Sequence, residues 1–395
     1  MTPDPVLGGP IGTLTAAAQE KLPAEIFHYA AGGAGDEATV LRNVRNLDAF
    51  RLVPRVMRDV SAVDTSAEVV GGSLAAPLLV APMGMQRLYH EGAEVTTARA
   101  AAELGTGFCL SMFGSCSPEQ VAGAAPGQVR WRQMYLTKDR RLNEELIRQA
   151  EDAGFDAVVC TVDLPVMAER FRDAGNTFQT FDNEVAEAWS PALVREPYFK
   201  EPLGLWREER PEATPQQFID HVFPHPGCGW DDLERLVGRS PLPVIVKGVL
   251  HPDDAVRAVG AGAAAVVVSN HGGSQHDRSV AAVDALPAVA GAVDGAVPVY
   301  FDSGVRSGTH AAVALALGAD AVLVGRPVLW GLAVHGPDGV RAVLEHLTKG
   351  LRDSMAFVGA RTVRDLRKAT VLCEPGPSGA VGRRDGHWPA EPSAR

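Results

Sequence analysis

The amino-acid sequence predicts an α/β protein folded as a (β/α)8 TIM barrel, and three observations carry the prediction. Eight short apolar runs rich in β-branched residues lack the strict alternation of a half-solvated strand, which marks strands covered on both faces. Most neighbouring runs start roughly 20 to 35 residues apart, enough for one crossover helix between parallel strands. A phrase joining helix to strand also recurs, as Gly154-Phe-Asp-Ala157-Val158, Gly262-Ala-Ala-Ala265-Val266 and Gly318-Ala-Asp-Ala321-Val322. One joint used three times among eight such units favours a closed barrel over an open sheet.

In chain order the strands are placed at Pro77–Ala81, Gly107–Ser111, Val129–Met134, Ala157–Thr161, Val244–Lys247, Ala264–Ser269, Val297–Asp302 and Ala321–Gly325. Each recurring glycine follows a helical run, such as Leu142, Leu146, Ile147 and Ala150 before Gly154, and is expected to end that helix in the left-handed conformation. The apolar stretch Ala258–Val268 reads as a helix end feeding the sixth strand. The rhythm breaks from 179 to 229, where Pro191, Pro197, Pro202, Pro211, Pro215, Pro224 and Pro226 stand among charges. A long excursion after the fourth strand reads as a lid or partner-contact segment. Residues 1–373 read as a single barrel domain with an N-terminal helical segment, and 374–395, rich in Pro, Gly, Ser and Arg, as a disordered tail.

Composition narrows the function classes. Hydrophobic residues at 46% supply a large core, and a net charge of −11 argues against nucleic acid or an anionic membrane as partner. Cysteines at 109, 116, 160, 228 and 373 form no C-x-x-C pair and no metal-ligand spacing, which points to a reducing compartment and to no metal. The start, Met1-Thr-Pro-Asp, lacks a signal peptide's basic and apolar regions. The most membrane-like run has 11 residues, about half of the roughly 20 that span a bilayer. A cytoplasmic location and a small-molecule partner are expected.

Barrel enzymes carry their chemistry where the strands end, and here those ends are polar: Ser111, Gln133 with Tyr135, Thr161 with Asp163, Lys247, Ser269-Asn270-His271, Asp302 with Arg306, and Gly325-Arg326. Burying a Lys, a His and two Arg beside apolar strands is costly unless partners await them. The loops Asp302-Ser-Gly304-Val-Arg306-Ser-Gly308 and Gly325-Arg326-Pro327 offer backbone N–H groups and two guanidinium forks where such barrels often hold a phosphate. A phosphorylated cofactor or substrate is expected.

Taken together, Ser269-Asn-His-Gly-Gly273, Val246-Lys-Gly248, Thr161-Val-Asp-Leu-Pro165, Gln133-Met-Tyr135, Lys138-Asp-Arg140, Ser303-Gly-Val-Arg306 and Gly325-Arg-Pro327 resemble the FMN-dependent 2-hydroxy acid oxidases and dehydrogenases, among them glycolate oxidase, lactate oxidase and mandelate dehydrogenase. The resemblance runs from Leu22 to Leu366 and implies FMN at the top of the barrel. It implies that Arg306, Gly325 and Arg326 hold the phosphate and that Ser111, Gln133 and Thr161 bond the isoalloxazine, with Ser269, Asp302 and Gly304 completing the cofactor set. Lys247 would stabilise the anionic reduced ring. His271 would be the base, taking a proton while the substrate's α-hydrogen leaves toward flavin N5, with Asp163 orienting the imidazole. Tyr29 and Tyr135 match two substrate-side hydroxyls, and Arg170 matches an arginine that binds the substrate's acidic end. A homo-oligomer, a tetramer in the family, is implied as well.

The chain departs from the family's His-Gly-Gly-Arg-Gln-Leu-Asp at His271-Gly-Gly-Ser274-Gln275-His276-Asp277, where Ser274 replaces the arginine that clamps the substrate carboxylate. A charge-assisted hydrogen bond contributes about 1.5–3 kcal/mol, so a free 2-hydroxy acid would bind roughly 10- to 1000-fold worse without compensation. Three explanations compete: Arg170, Arg172, Arg278 or His276 takes over the clamp; the substrate is an amide, ester or carrier-linked acyl group; or turnover has been lost. The second is preferred. Phe113 stands where glycolate oxidases have tryptophan, Met83-Gly84 replaces Thr-Ala, and the segment after Phe178 does not match the family's lid. The electron acceptor, O2 or another, is left open. The alternative from a different class is a flavin-binding regulator or scaffold without turnover.

Overall fold

Inward and outward faces alternate along each of eight parallel strands, and the strands close on themselves. In the computed structural model, which describes residues 9–173, 210, 212 and 215–373, they are β1 (Leu78–Val80), β2 (Gly107–Leu110), β3 (Arg130–Tyr135), β4 (Ala157–Thr161), β5 (Val244–Val249), β6 (Ala265–Val268), β7 (Val299–Phe301) and β8 (Ala321–Val324). Closure is made where β8 pairs with β1, Val322 opposite Leu78 and Val324 opposite Val80. All eight expected runs are strands of the barrel, so the fold class is as the sequence predicts.

Both faces of the sheet are apolar because helices cover the outside and side chains fill the inside. Leu79, Cys109, Trp131, Val159, Ile245, Val267, Tyr300 and Leu323, one from each strand, share one buried cluster, while their outward neighbours such as Val80, Cys160, Val246 and Phe301 belong to the core beneath the helices. A short antiparallel pair, Ala67–Val69 with Gly72–Leu74, plugs the end where the strands begin. The Trp131 indole donates to Val70 O at 2.8 Å, and Val70 N donates to the Tyr300 hydroxyl at 2.9 Å. The floor is therefore apolar and sealed, and the polar inward positions lie at the other end.

Before the barrel come α1 (Gly9–Lys21), α2 (Ala24–Ala31) and α3 (Ala38–Asp48). The surrounding helices are α4 (Ala93–Glu103), α5 (Pro118–Ala124), α6 (Arg140–Asp152), α7 (Pro215–Val222), α8 (Trp230–Arg239), α9 (Pro252–Gly260), α10 (Ala282–Val293), α11 (Gly308–Ala316) and α12 (Arg326–Phe357). Gly154, Gly262 and Gly318 have φ of 69°, 92° and 118°, so the recurring joint is the left-handed helix end the sequence implies. Helix α12 breaks at Gly336, whose φ of 59° precedes Pro337. Of the excursion expected over 179–229, residues 179–209, 211, 213 and 214 lie outside the described residues, as does the expected tail at 374–395. The described part ends in α7, which α8 follows. Among the described residues no helix is long and apolar enough to cross a membrane.

Candidate active site

Two residues beyond each inward apolar side chain, the strand places another inward, and at the top of the barrel those are the chemical groups. Val159 is followed by Thr161 and then Asp163, Ile245 by Lys247, Tyr300 by Asp302, and Trp131 by Gln133 and Tyr135. The same parity leads from Val267 through Ser269 toward His271.

His271 sits in a tight turn with φ of 57°, and Gly272 and Gly273 follow at 64° and 79°. A non-glycine residue with positive φ is held there by its surroundings. The turn's N–H groups are satisfied by hydroxyl and amide oxygens: His271 N donates to Ser269 Oγ at 3.0 Å, Gly272 N to Ser303 Oγ at 3.0 Å, and Gly273 N to Asn270 Oδ1 at 3.2 Å. A Cβ on Gly273 would lie 2.7 Å from Val40 N, so only glycine lets α3 approach. His271 Nδ1 lies 2.8 Å from Asp163 Oδ1. Burial alone would push the Asp163 carboxyl up, but the His271 imidazole and the Lys247 ammonium hold it below the usual carboxylate range. An ionised Asp163 requires the proton on Nδ1, so Nε2 faces the cavity, 3.4 Å from the Tyr135 hydroxyl. Burial first, then the nearby Asp163 charge, pushes that phenol up, so it stays protonated.

Lys247 is buried with its own counter-ion: Nζ lies 3.1 Å from Asp302 Oδ2 and donates to Ser269 Oγ at 2.9 Å. Burial would lower its affinity for a proton, but the carboxylates of Asp302 and Asp163 raise it on balance. Behind the cavity wall runs a chain in which Ser111 Oγ donates to Gln133 Oε1 at 3.3 Å and Gln133 Nε2 donates to Thr161 Oγ1 at 3.1 Å. Gln133, Thr161 and Ser269 are buried and do not line the cavity, whereas Ser111, Lys247, Asp302, Gly304, Arg306, Gly325 and Arg326 do.

The two arginines at β7 and β8 differ from each other. Arg306 donates from Nη1 to Val305 O at 2.8 Å, and burial, with the neighbouring Arg326 cation, pulls its guanidinium down to about 9. Arg326 bonds Ala30 O at 2.7 Å, Gly272 O at 2.9 Å and Gly32 O at 2.8 Å, and lies 3.4 Å from Ser274 Oγ. Burial and the cations Arg170 and Arg172 pull it down to about 10. Of the two guanidinium forks expected, Arg326 is committed to three backbone carbonyls, whereas Arg306 bonds one. At the start of α12 the N–H of Arg326 is the one left to offer an anion, since Pro327 has none and Val328 N donates to Gly325 O at 2.9 Å. A Cβ on Gly325 would meet nothing closer than 3.6 Å, as backbone open to a ligand should.

These groups surround one cavity of ≈ 400 Å³. Tyr29, Arg170, Phe113 and Ser274, the expected substrate side, all line it with Tyr135 and His271, and Asp163 stands behind His271. Sequence reasoning missed Phe223, Leu164 and Met167, which also line it. Phe223 is tilted against Tyr135 at 4.7 Å and against Phe113 at 6.0 Å between ring centroids, making an aromatic wall beside His271. Of the expected substitutes for the missing clamp, Arg170 lines the cavity but lies 3.1 Å from Asp173 and donates to Tyr29 O at 2.7 Å. Arg172 is paired with Glu37, Arg278 lies on the surface 3.5 Å from Asp36, and neither these two nor His276 lines the cavity.

Buried cations without a carboxylate, an open backbone cradle and a cavity of this size fit FMN. Fold and cavity together fit the class of barrel enzymes that oxidise a hydroxyl with a flavin nucleotide. The family model described as FMN-dependent dehydrogenase matches residues 18–373, and the chain belongs to that family of oxidoreductases acting on CH–OH groups, with FMN as cofactor. It is 42% identical to an L-lactate oxidase of a Nostoc species over 86% of this chain and 91% of that one. It is 39% identical to 2-hydroxyacid oxidase 1 of Homo sapiens over 91% and 95%. Among solved structures, an arginine-to-leucine variant of mandelate oxidase with 2-hydroxy-phenylacetamide superimposes with a TM-score of 0.80 at 37% identity, covering 93% of this chain and 99% of that one.

Proposed function

We propose that the protein oxidises the α-hydroxyl of a 2-hydroxyacyl compound lacking a free carboxylate, such as an amide, ester or carrier-linked acyl group, to the 2-oxo product. The balance of charge in the cavity carries this reading. Lys247, Arg170 and His271 each stand beside a carboxylate of their own, Asp302, Asp173 and Asp163. Arg306 and Arg326, by contrast, bond only carbonyl and hydroxyl oxygens among the described residues. A phosphate monoester of nearly two negative charges matches those two cations, leaving no unpaired cation for a substrate carboxylate. Ser274 supplies a hydroxyl where a clamp would need charge. The mandelate oxidase variant solved with an amide supports the view that this fold accommodates a neutral acyl end once an arginine is absent.

FMN, when bound, supplies the two-electron acceptor. His271 Nε2 accepts the hydroxyl proton, and the ionised Asp163 on Nδ1 stabilises the imidazolium that forms. The Tyr135 hydroxyl donates to the substrate oxygen beside that nitrogen, while Tyr29 and Phe113 with Phe223 enclose the rest. Lys247, held protonated, sets a positive potential at the cofactor side. The α-hydrogen and its bonding electron pair would be taken up by FMN, for which O2 or another acceptor would be the final oxidant.

Val56 and Met57 are 83% and 98% exposed and stand with exposed Phe357, whose carbonyl accepts from Arg55 N. This apolar patch supports self-association. The cytoplasm suits the free thiols of Cys109, Cys116, Cys160 and Cys228.

The test is anaerobic bleaching of the bound flavin by matched 2-hydroxy acids and their amides. Amides should reduce it faster, and Ser274→Arg should reverse the ranking by burying an unpaired guanidinium against a neutral group. A wild-type preference for free acids, lost in Arg170→Ala, would overturn the reading in favour of Arg170 as the clamp.

A further inference from the structure

Outside the cavity, behind the loop that leaves β7, three groups form a chain that the proposed reaction does not use. His310 lies in the first turn of α11, its own N–H capped by Ser307 Oγ at 3.1 Å. Its ring is buried, and Nδ1 accepts the backbone N–H of Arg306 at 3.1 Å. Its Nε2 lies 2.8 Å from Oδ1 of Asp48, the last residue of α3, whose carboxylate is half exposed.

The proton positions follow from the donors. A backbone amide can only donate, so Nδ1 is bare, the ring proton is on Nε2, and Asp48 accepts it. Asp48 thereby fixes the one tautomer that leaves Nδ1 free to hold Arg306.

What His310 holds is the residue whose guanidinium lines the cavity with no carboxylate beside it among the described residues. The loop before it turns through positive φ at Ser303 (81°) and Gly304 (93°), and a Cβ on Gly304 would lie 2.5 Å from Asn43 O. Its near end is therefore set against α3, and its far end is set at the Arg306 amide. Both anchors come from the same helix, Asn43 directly and Asp48 through His310.

We infer that His310, oriented by Asp48, is a positioning residue that fixes the Arg306 loop in register with a phosphate monoester. The inference concerns the cofactor and stands apart from the identity of the substrate. It predicts a defect in phosphate recognition alone, since riboflavin has no phosphate for the Arg306 loop to meet.

The experiment measures binding of FMN and of riboflavin, which lacks the phosphate, to the apoprotein by quenching of flavin fluorescence. His310→Leu leaves the buried amide of Arg306 unsatisfied and should lower FMN affinity roughly 10- to 100-fold, with riboflavin affinity held within about threefold. His310→Asn, whose side-chain oxygen can reach the same amide, should restore most of the FMN preference. Asp48→Ala, a half-exposed site that leaves the core intact, should lower the FMN-to-riboflavin ratio several-fold and decides the matter if His310→Leu fails to fold. An unchanged ratio in Asp48→Ala, and in His310→Leu where that variant folds, or an equal loss for both flavins, overturns the assignment.

Discussion

His271 commits Nδ1 to Asp163 and turns Nε2 to the cavity, and glutamine at 271 keeps the reach but cannot take up a proton. His271→Gln should retain FMN while substrate-driven flavin reduction falls about 100- to 10,000-fold, followed by stopped-flow bleaching. Undiminished reduction would place the base elsewhere. Asp163 adds a pH dependence of definite sign. Its carboxyl lies below the usual range, so the pair contributes stability above the unfolded value of about 3.9 and loses it as pH falls through the lower folded value. Urea unfolding should therefore show wild type more stable than Asp163→Asn at pH 7, with the two converging as pH falls through that lower folded value. At this scale the sequence is legible wherever a strand delivers the side chain. His271, Asp163, Lys247, Tyr135 and Arg306 stand among the polar strand ends, and the family resemblance implies their roles. The carbonyl bonds of Arg326 and the chain from Asp48 to His310 do not, because they join loops and helices whose meeting no local pattern encodes.

Two helices meet closely at one glycine that no turn requires. Gly308 opens α11 against the backbone of α12, where a Cβ would lie 2.2 Å from Leu351 N and 2.3 Å from Leu347 O. Backbone cannot move aside as a flexible side chain can, so Gly308→Ala should cost about 1–3 kcal/mol. Because α11 also carries His310, FMN retention should fall with it; thermal unfolding of holoprotein and apoprotein measures both, and an unshifted midpoint would contradict the close approach. On the other side of the barrel top, α7 is held by Lys138, whose N–H donates to Val222 O at 2.9 Å and whose Nζ donates to His221 O at 3.0 Å. A cation on the last carbonyls of a helix is favourable there, and it sets Phe223 against Tyr135. Strand ends were legible to within about two residues, since apolar runs stop where water or chemistry begins. Phe223 was not, because proline and charge around it give no period to read.

Across the whole molecule, a chain of net charge −11 gathers Arg306, Arg326, Lys247 and Arg170 at one mouth of its barrel, a local field that favours an anion there. Closure of β8 on β1 makes the recess a joint product of both halves of the chain. Arg326 donates to Gly32 O and Ala30 O, across separations of 294 and 296 residues. During synthesis at roughly 5–20 residues per second, α2 therefore waits roughly 15 to 60 s before its partner is made. Through that interval the carbonyls of Ala30 and Gly32 face solvent or a chaperone, and no phosphate cradle exists. Ribosome-stalled chains that end before Arg326 should not quench FMN fluorescence, whereas released full-length chains should. Cofactor loading is on this account an event of the finished polypeptide, governed by the supply of FMN after translation rather than by capture on the ribosome.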